Sequence, residues 1–477
     1  MLFNSFEFLA FFVTFLAIFF GLRKRTQPIV LLIASYVFYM SWRPSFGLLL
    51  ALTTAVDYTT ALMMARSRTD GGRKAAMVLA LTINLGILAT VKYLDFFIAN
   101  VIGAAGLFGY VIPDYALGLA LPLGISFYTF QSIGYTLDVY YRKVEAERDF
   151  LTYAQYVSFF PQLIAGPIER AAHMLPQFRT VHRLSFPDLN AGLFLIGFGL
   201  FKKMCIADVV GPVVNGIYAA PEQYSGSYQL LAVILFAIQI YCDFSGYSDI
   251  ARGTARIMGF DLMINFRQPY FTCSLNEFWR CWHISLSSWF RDYLFIPLGG
   301  SRGSEWRTAR NLMIVFAVSG IWHGAAWTFA AWGVLHGTGL VLERAFARTA
   351  KVELWLNPTT RRVFGWFWMM AIVLAGWVFF RSTSLANAFV VFRSLGEFGP
   401  VSYGTLKMLG LASVELLMLG VSLLILFVVD FHLAFRPRRL EALGEMRWLP
   451  TGAGVALAYY IILFGIFGHA EFIYFQF

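Results

Sequence analysis

SGIWHGAAWTFAAWGVLHG, residues 319–337, sets two histidines and three tryptophans in a run that is otherwise apolar or small. Its two halves repeat one pattern, GIWHG at 320–324 and GVLHG at 333–337, with glycines at the GxxxG spacing that lets helices approach closely. In one unbroken helix the imidazoles of His323 and His336 would stand about 20 Å apart and face different directions. A single small site can use both only if the helix breaks between them, and 311–346 is long enough for a break. Two readings of each histidine stand open: a hydrogen-bonded structural group, or a catalyst. His323 has Trp322 and Gly324 beside it, Ser319 a turn before and Trp327 a turn after. The small residues leave room for a substrate and the tryptophans wall off water, so a neutral imidazole there suits general-base work near pH 7. His336, beside Leu335 and ahead of Leu340, has fewer such companions.

The surroundings of this stretch are those of a membrane protein. Of 477 residues, 58% are hydrophobic and only 13% charged, where a soluble domain is about a quarter charged. Apolar runs fall near 5–22, 28–42, 45–65, 75–99, 117–141, 189–210, 226–247, 311–330, 331–346, 362–381, 410–431 and 452–469. A helix needs about 20 residues to cross the hydrocarbon core, so these are a dozen candidate spans, some of them re-entrant. The net charge of +10 is concentrated in RKR at 23–25, RSRTDGGRK at 66–74 and RKVEAER at 142–148. Basic clusters after every second span place the N-terminus outside and those loops inside; they do not describe a nucleic-acid-binding surface. The first run has its charge after it and no cleavage site, and reads as a retained span. Cys205, Cys242, Cys273 and Cys281 show no CxxC spacing, so neither a disulfide framework nor a metal site is expected.

Two segments depart from plain spanning, and a third places acidic residues where an apolar run ends. YAQYVSFFPQLIAGPIER, 153–170, is apolar but broken by Pro161, Gly166 and Pro167, which predicts a short helix pair dipping into the protein. NEFWRCWHISLSSWFRDYLFIPLGGSRG, 276–303, is amphipathic as a helix. Glu277, Arg280, Ser287, Ser288, Arg291 and Asp292 share one arc, Trp279, Trp282, Leu286, Trp289 and Phe290 the other, and His283 lies at the border. Such a helix either lies at the membrane interface or floors a cavity with His283 turned toward it. YCDFSGYSDIARG, 241–253, brackets small polar residues with Asp243 and Asp249, as a hydrogen-bonded helix end or as a polar wall of a substrate channel.

Together with LPLGISFYTFQSIGYTLDVYYR and FFPQLIAGPIER, these motifs resemble the membrane-bound O-acyltransferase family, in particular the subunits that O-acetylate bacterial exopolysaccharides such as alginate. The resemblance runs over nearly the whole chain. It implies an all-α polytopic membrane protein with about 11 transmembrane helices and re-entrant segments around a central tunnel. One membrane domain would fill 1–477, with N-terminal spans over 1–150, a catalytic core over 151–346, and C-terminal spans with an aromatic tail over 347–477. It implies acyl transfer to a hydroxyl, with His323 as the essential histidine and His283 as the second. The site expected around them comprises Trp322, Ser319, Trp327, Trp282, Ser285, Arg291 and Asp243. Relatives usually carry Arg or Lys where this chain has Cys281. Arg280, Arg291 and Arg302 either attract an anionic donor or anchor the helix to headgroups.

No bound cofactor is implied; acetyl-CoA or another acyl thioester is the expected donor. The expected partner is a periplasmic serine-esterase-like acetyltransferase subunit, at the bacterial inner membrane. Phe472, Tyr474, Phe475 and Phe477 at the C-terminus resemble a docking segment for it, the alternative being an interfacial aromatic belt. D-alanyl transfer to teichoic acid and transport without chemistry are the competing functions.

Overall fold

A computed structural model describes residues 1–113, 115–164, 166–349, 357–435, 448–468 and 472–473. Every regular element among the described residues is helical, as the unbroken apolar runs require: in lipid each backbone polar group must find its partner within the same segment. Pro44–Arg66, Asp70–Leu107, Gly226–Ile257, Pro358–Arg381 and Ser413–Phe435 are long and apolar enough to cross a membrane, and Phe6–Gly21, Leu385–Ser394 and Gly452–Phe464 are shorter apolar helices. This polytopic, all-helical architecture is the one expected, but several anticipated spans fold differently. The run at 117–141, for example, shortens to Ile125–Tyr140, a helix buried along almost its entire length. The chain divides into two compact units, Met1–Leu189 with Thr254–Met263, and Asn190–Gly253 with Ile264–Phe477. Residues 151–189 thus group with the N-terminal spans rather than with the segment that carries the histidines.

In the first unit, α1 (Phe6–Gly21) buries Phe8, Phe12, Phe15 and Phe19, the stripe that a 3.6-residue period produces. Phe15 meets the ring of Phe160 edge-on at 5.4 Å, and Phe38 of α2 (Gln27–Met40) lies 5.6 Å from the same ring. Phe160 begins a four-residue helix, Phe160–Leu163, that follows Phe150–Ser158. This is the dipping helix pair anticipated at 153–170, enclosed by protein as irregular backbone at membrane depth must be. Gln131 and Gln162 each donate a side-chain hydrogen bond to the carbonyl of Tyr156, at 2.7 and 2.8 Å, satisfying backbone that no helix serves.

The second unit holds every residue of interest below. Its long helix α3 (Gly226–Ile257) continues through YCDFSGYSDIARG, so Asp243 and Asp249 lie in a helix interior and not at a helix end. Both aspartates are neutralised instead. Lys202 pairs with Asp249 at 2.6 Å, and Lys203 pairs with Asp243 and Asp208 at 2.8 Å each. Buried charges in a membrane protein survive by such pairing.

Candidate active site

The segment expected as one amphipathic helix over 276–303 is two short helices. Ser274 caps α4 (Leu275–Cys281) by accepting the Glu277 N–H at 3.1 Å. From across the unit, the Glu343 carboxylate accepts the N–H groups of Leu275 and Asn276 at 2.6 and 3.2 Å, a negative charge at the positive end of the helix. The chain then breaks at Trp282–His283 before α5 (Ile284–Phe290). His283 adopts a left-handed backbone with φ +42°, a conformation that costs a non-glycine residue about 1–3 kcal/mol.

Asn265 secures the break. Its carbonyl accepts the Ile284 N–H at 2.9 Å and its side-chain oxygen accepts the Ser285 N–H at 3.2 Å. The tryptophans of this segment do not form an interfacial belt: Trp282 and Trp289 are buried. The ring of Trp282 packs on Phe266 at 5.1 Å and on Trp377 at 4.9 Å. His283 is itself buried, edge-on to Phe244 at 4.6 Å. It lies outside the five long apolar helices, and burial pushes its imidazole down to about 3, so it is neutral at ordinary pH.

The opening stretch also breaks. Helix α6 (Glu305–His323) ends on the histidine itself, and α7 (Trp327–Thr349) starts after Gly324–Ala326. The two helices fold back on each other through their glycines. A Cβ at Gly320 would stand 2.3 Å from the Phe329 carbonyl, and one at Gly333 would stand 2.3 Å from the Phe316 carbonyl. The GxxxG reading is therefore correct, and the condition for the two histidines to come together is met.

His323 contacts Trp322 at 5.0 Å, Trp332 at 4.9 Å and Phe380 at 5.2 Å between ring centroids. Trp322 also lies 6.3 Å from His283, so one indole touches both catalytic candidates. Trp332 lies 4.8 Å from His336. His336, the histidine with fewer companions in sequence, is thus one ring away from His323.

The other predicted site residues divide. Ser319, Trp322, Trp282 and Ser285 are buried with the two histidines in the second unit. Trp327 is 59% exposed and cannot be a wall; Trp332 and Phe380 enclose His323 instead. Arg291 is exposed and pairs with its neighbour Asp292 at 2.8 Å. Asp243 is buried but engaged, holding Lys203 and accepting the Ile473 N–H at 2.7 Å. Phe472, expected on a docking tail, is instead fully buried against Tyr247 and Phe244 at 4.5 and 5.5 Å. Tyr474, Phe475 and Phe477 lie outside the described residues. Phe244, Asn265, Trp332, Trp377 and Phe380 were not anticipated as site residues.

Two imidazoles at helix boundaries, His323 at the end of α6 and His283 just before α5, are each enclosed by aromatic rings, an arrangement that can shield a proton-transferring group from water. The sequence pattern of the membrane-bound O-acyltransferase family matches residues 146–385, which include both histidines and the rings around them. This chain belongs to that family. A probable alginate O-acetylase of Azotobacter vinelandii is 38% identical over 90% of this chain and 84% of its own length. A peptidoglycan O-acetyltransferase of Helicobacter pylori is 34% identical over 78% of this chain and 74% of its own length. A teichoic acid D-alanyltransferase of Streptococcus thermophilus matches at 29% over only 48% of this chain. As a membrane-bound O-acyltransferase, the protein transfers an acyl group to a hydroxyl, and the first two relatives just named are a probable alginate O-acetylase and a peptidoglycan O-acetyltransferase.

Proposed function

We propose that this membrane-bound O-acyltransferase carries acetyl groups from a cytoplasmic thioester, acetyl-CoA by expectation, toward an acceptor outside a bacterial inner membrane, for O-acetylation of an alginate-like exopolysaccharide. The observation that carries the reading is the packing of His283 and His323 on one indole, Trp322, at two breaks in helical structure. His323 takes the proton from the incoming hydroxyl as its oxygen attacks the thioester carbonyl carbon. The C–O bond forms, the C–S bond breaks, and the departing thiolate receives that proton. A general base of this kind contributes roughly 10²–10⁴-fold. His283, neutral and held rigidly by Asn265, orients the acyl group or donates to its oxygen.

The names of the relatives favour acetyl over D-alanyl transfer, since the D-alanyltransferase matches the smaller part of the chain. The incoming hydroxyl is carried by a periplasmic serine-esterase-like subunit, which then modifies the sugar. The test is a chromosomal His323→Ala strain, with ester-linked acetyl measured on its secreted polysaccharide. Acetylation is expected to disappear while polymer yield and membrane protein level stay unchanged. Normal acetyl content in that strain would overturn the proposal.

A further inference from the structure

One corner of the second unit gathers polar ring nitrogens that the chemistry above does not use. Trp279 on α4 and Trp332 and His336 on α7 pack mutually, with ring centroids 5.5, 5.0 and 4.8 Å apart. Trp279 Nε1, Trp332 Nε1 and both ring nitrogens of His336 are buried, and none has a hydrogen-bond partner among the described residues. Buried polar groups are as a rule hydrogen-bonded, so orphans concentrated in one cluster point to a partner that arrives during function. An indole offers only an N–H donor, and a neutral imidazole always carries one N–H, so that partner is an acceptor.

Its class follows from the lining. The three rings carry no formal charge between them while the imidazole is neutral, which suits an uncharged oxygen rather than a phosphate or a carboxylate. His336 is held in place from behind by α8 (Pro358–Arg381), where Gly376 lets the ring lie directly on the helix backbone; a Cβ there would stand 2.5 Å from Nε2. On its other side, Trp332 reaches His323 at 4.9 Å.

We propose that Trp332, His336 and Trp279 form the site for the carbonyl oxygen of the acyl thioester, beside the base that activates the hydroxyl. The inference rests on the acyl-transfer function proposed above. As the hydroxyl oxygen bonds to the carbonyl carbon, the carbonyl electron pair moves onto this oxygen, where N–H donors stabilise it. The pair returns as the C–S bond breaks, and the proton removed by His323 leaves on the thiolate. Preorganised donors aimed at a developing oxyanion are worth roughly 10²–10³-fold each.

The test uses the full-length protein in its own membrane, pulsing cells with labelled acetate and measuring the initial rate of ester-linked label on secreted polysaccharide per folded chain. His336→Phe keeps a ring and removes the donor; the rate is expected to fall at least tenfold. His336→Gln restores an N–H and is expected to recover part of that loss, which a role as mere filling would not produce. Trp332→Phe is expected to fall like His336→Phe and serves in its place if that variant does not accumulate. A wild-type rate in either phenylalanine variant, or a glutamine variant no better than His336→Phe, would overturn the inference. Undiminished label with His323→Ala would instead overturn the acyl-transfer mechanism on which it rests.

Discussion

The carboxylate of Asp243 accepts the backbone N–H of Ile473 at 2.7 Å, tying the last described residues of the chain to the interior of α3. The same carboxylate pairs with Lys203, whose other partner is Asp208. Phe472 lies beside this anchor with its ring on Phe244, and Phe244 packs on His283. Asp243 therefore shares a buried lysine with Asp208 and also holds the chain end next to one of the two site histidines.

Asp243→Ala removes both functions. Lys203 keeps Asp208, so the charge is not stranded, and the loss is expected near the worth of one charged hydrogen bond, about 1.5–3 kcal/mol. Asp243→Asn retains an acceptor for Ile473 and is expected to lose less. Thermal unfolding of the detergent-purified protein ranks the three; an alanine variant as stable as the parent would remove the anchor from the account.

The hairpin of α6 and α7 tolerates no side chain at its crossing. Gly320→Ala or Gly333→Ala brings a Cβ against a backbone carbonyl, which cannot rotate away. The helices must separate, at an expected cost of about 1–3 kcal/mol for overpacking. Because His323 ends one of these helices, its ring moves with them, and a displacement near 1 Å is enough to lower activity about 10²-fold. Polymer acetyl content is expected to fall further than membrane protein level in both variants.

His283 allows backbone strain to be separated from chemistry. Asparagine tolerates the left-handed conformation better than most residues, so His283→Asn is expected to fold, and because its shorter amide does not reach where the imidazole does, to transfer acyl groups about 10²-fold more slowly through lost positioning. The pH dependence has a defined sign. The folded imidazole titrates near 3 and the unfolded one near 6.5. Stability contributed by keeping this ring neutral is complete above pH 6.5 and is lost as pH falls from there toward 3. Between pH 7 and pH 5 the stability difference should shift in favour of His283→Asn by about 2 kcal/mol. Equal shifts in parent and variant would mean that His283 is not held neutral.

The parts of this protein that were legible in its sequence are those set by residue type at fixed spacing. The apolar runs define an all-helical membrane protein, the GxxxG pairs announce a close crossing, and the prolines and glycines of 153–170 announce irregular buried backbone. The errors arose where distant segments decide. Helical phase placed His283 at the border of an amphipathic helix, but Asn265 holds the chain broken there. Trp327 is the nearer tryptophan to His323 in sequence, but past the turn at 324–326 it is Trp332 whose ring packs on His323, while Trp327 is exposed. Phe244, Trp377 and Phe380 come from other helices, and no local pattern links them to either histidine. The charged pairs of Lys202 and Lys203 likewise join helices that only the fold brings together.

Glu343 tests whether the two broken segments must be held in register. Its carboxylate on α7 accepts both free N–H groups at the start of α4, and α4 leads directly into His283, while α7 follows directly on His323. Glu343→Gln keeps one acceptor oxygen and removes the charge; Glu343→Ala removes both bonds. Losing a helix cap typically costs about 1 kcal/mol, too little to unfold the protein. The two histidines reside on either side of this clamp, however, so their spacing loosens when it opens. Transfer is therefore expected to fall about tenfold or more in Glu343→Ala, with an intermediate value in Glu343→Gln and little change in thermal midpoint. Activity that merely tracks the small loss of stability would show that the rings around Trp322 hold the histidines in place without the clamp.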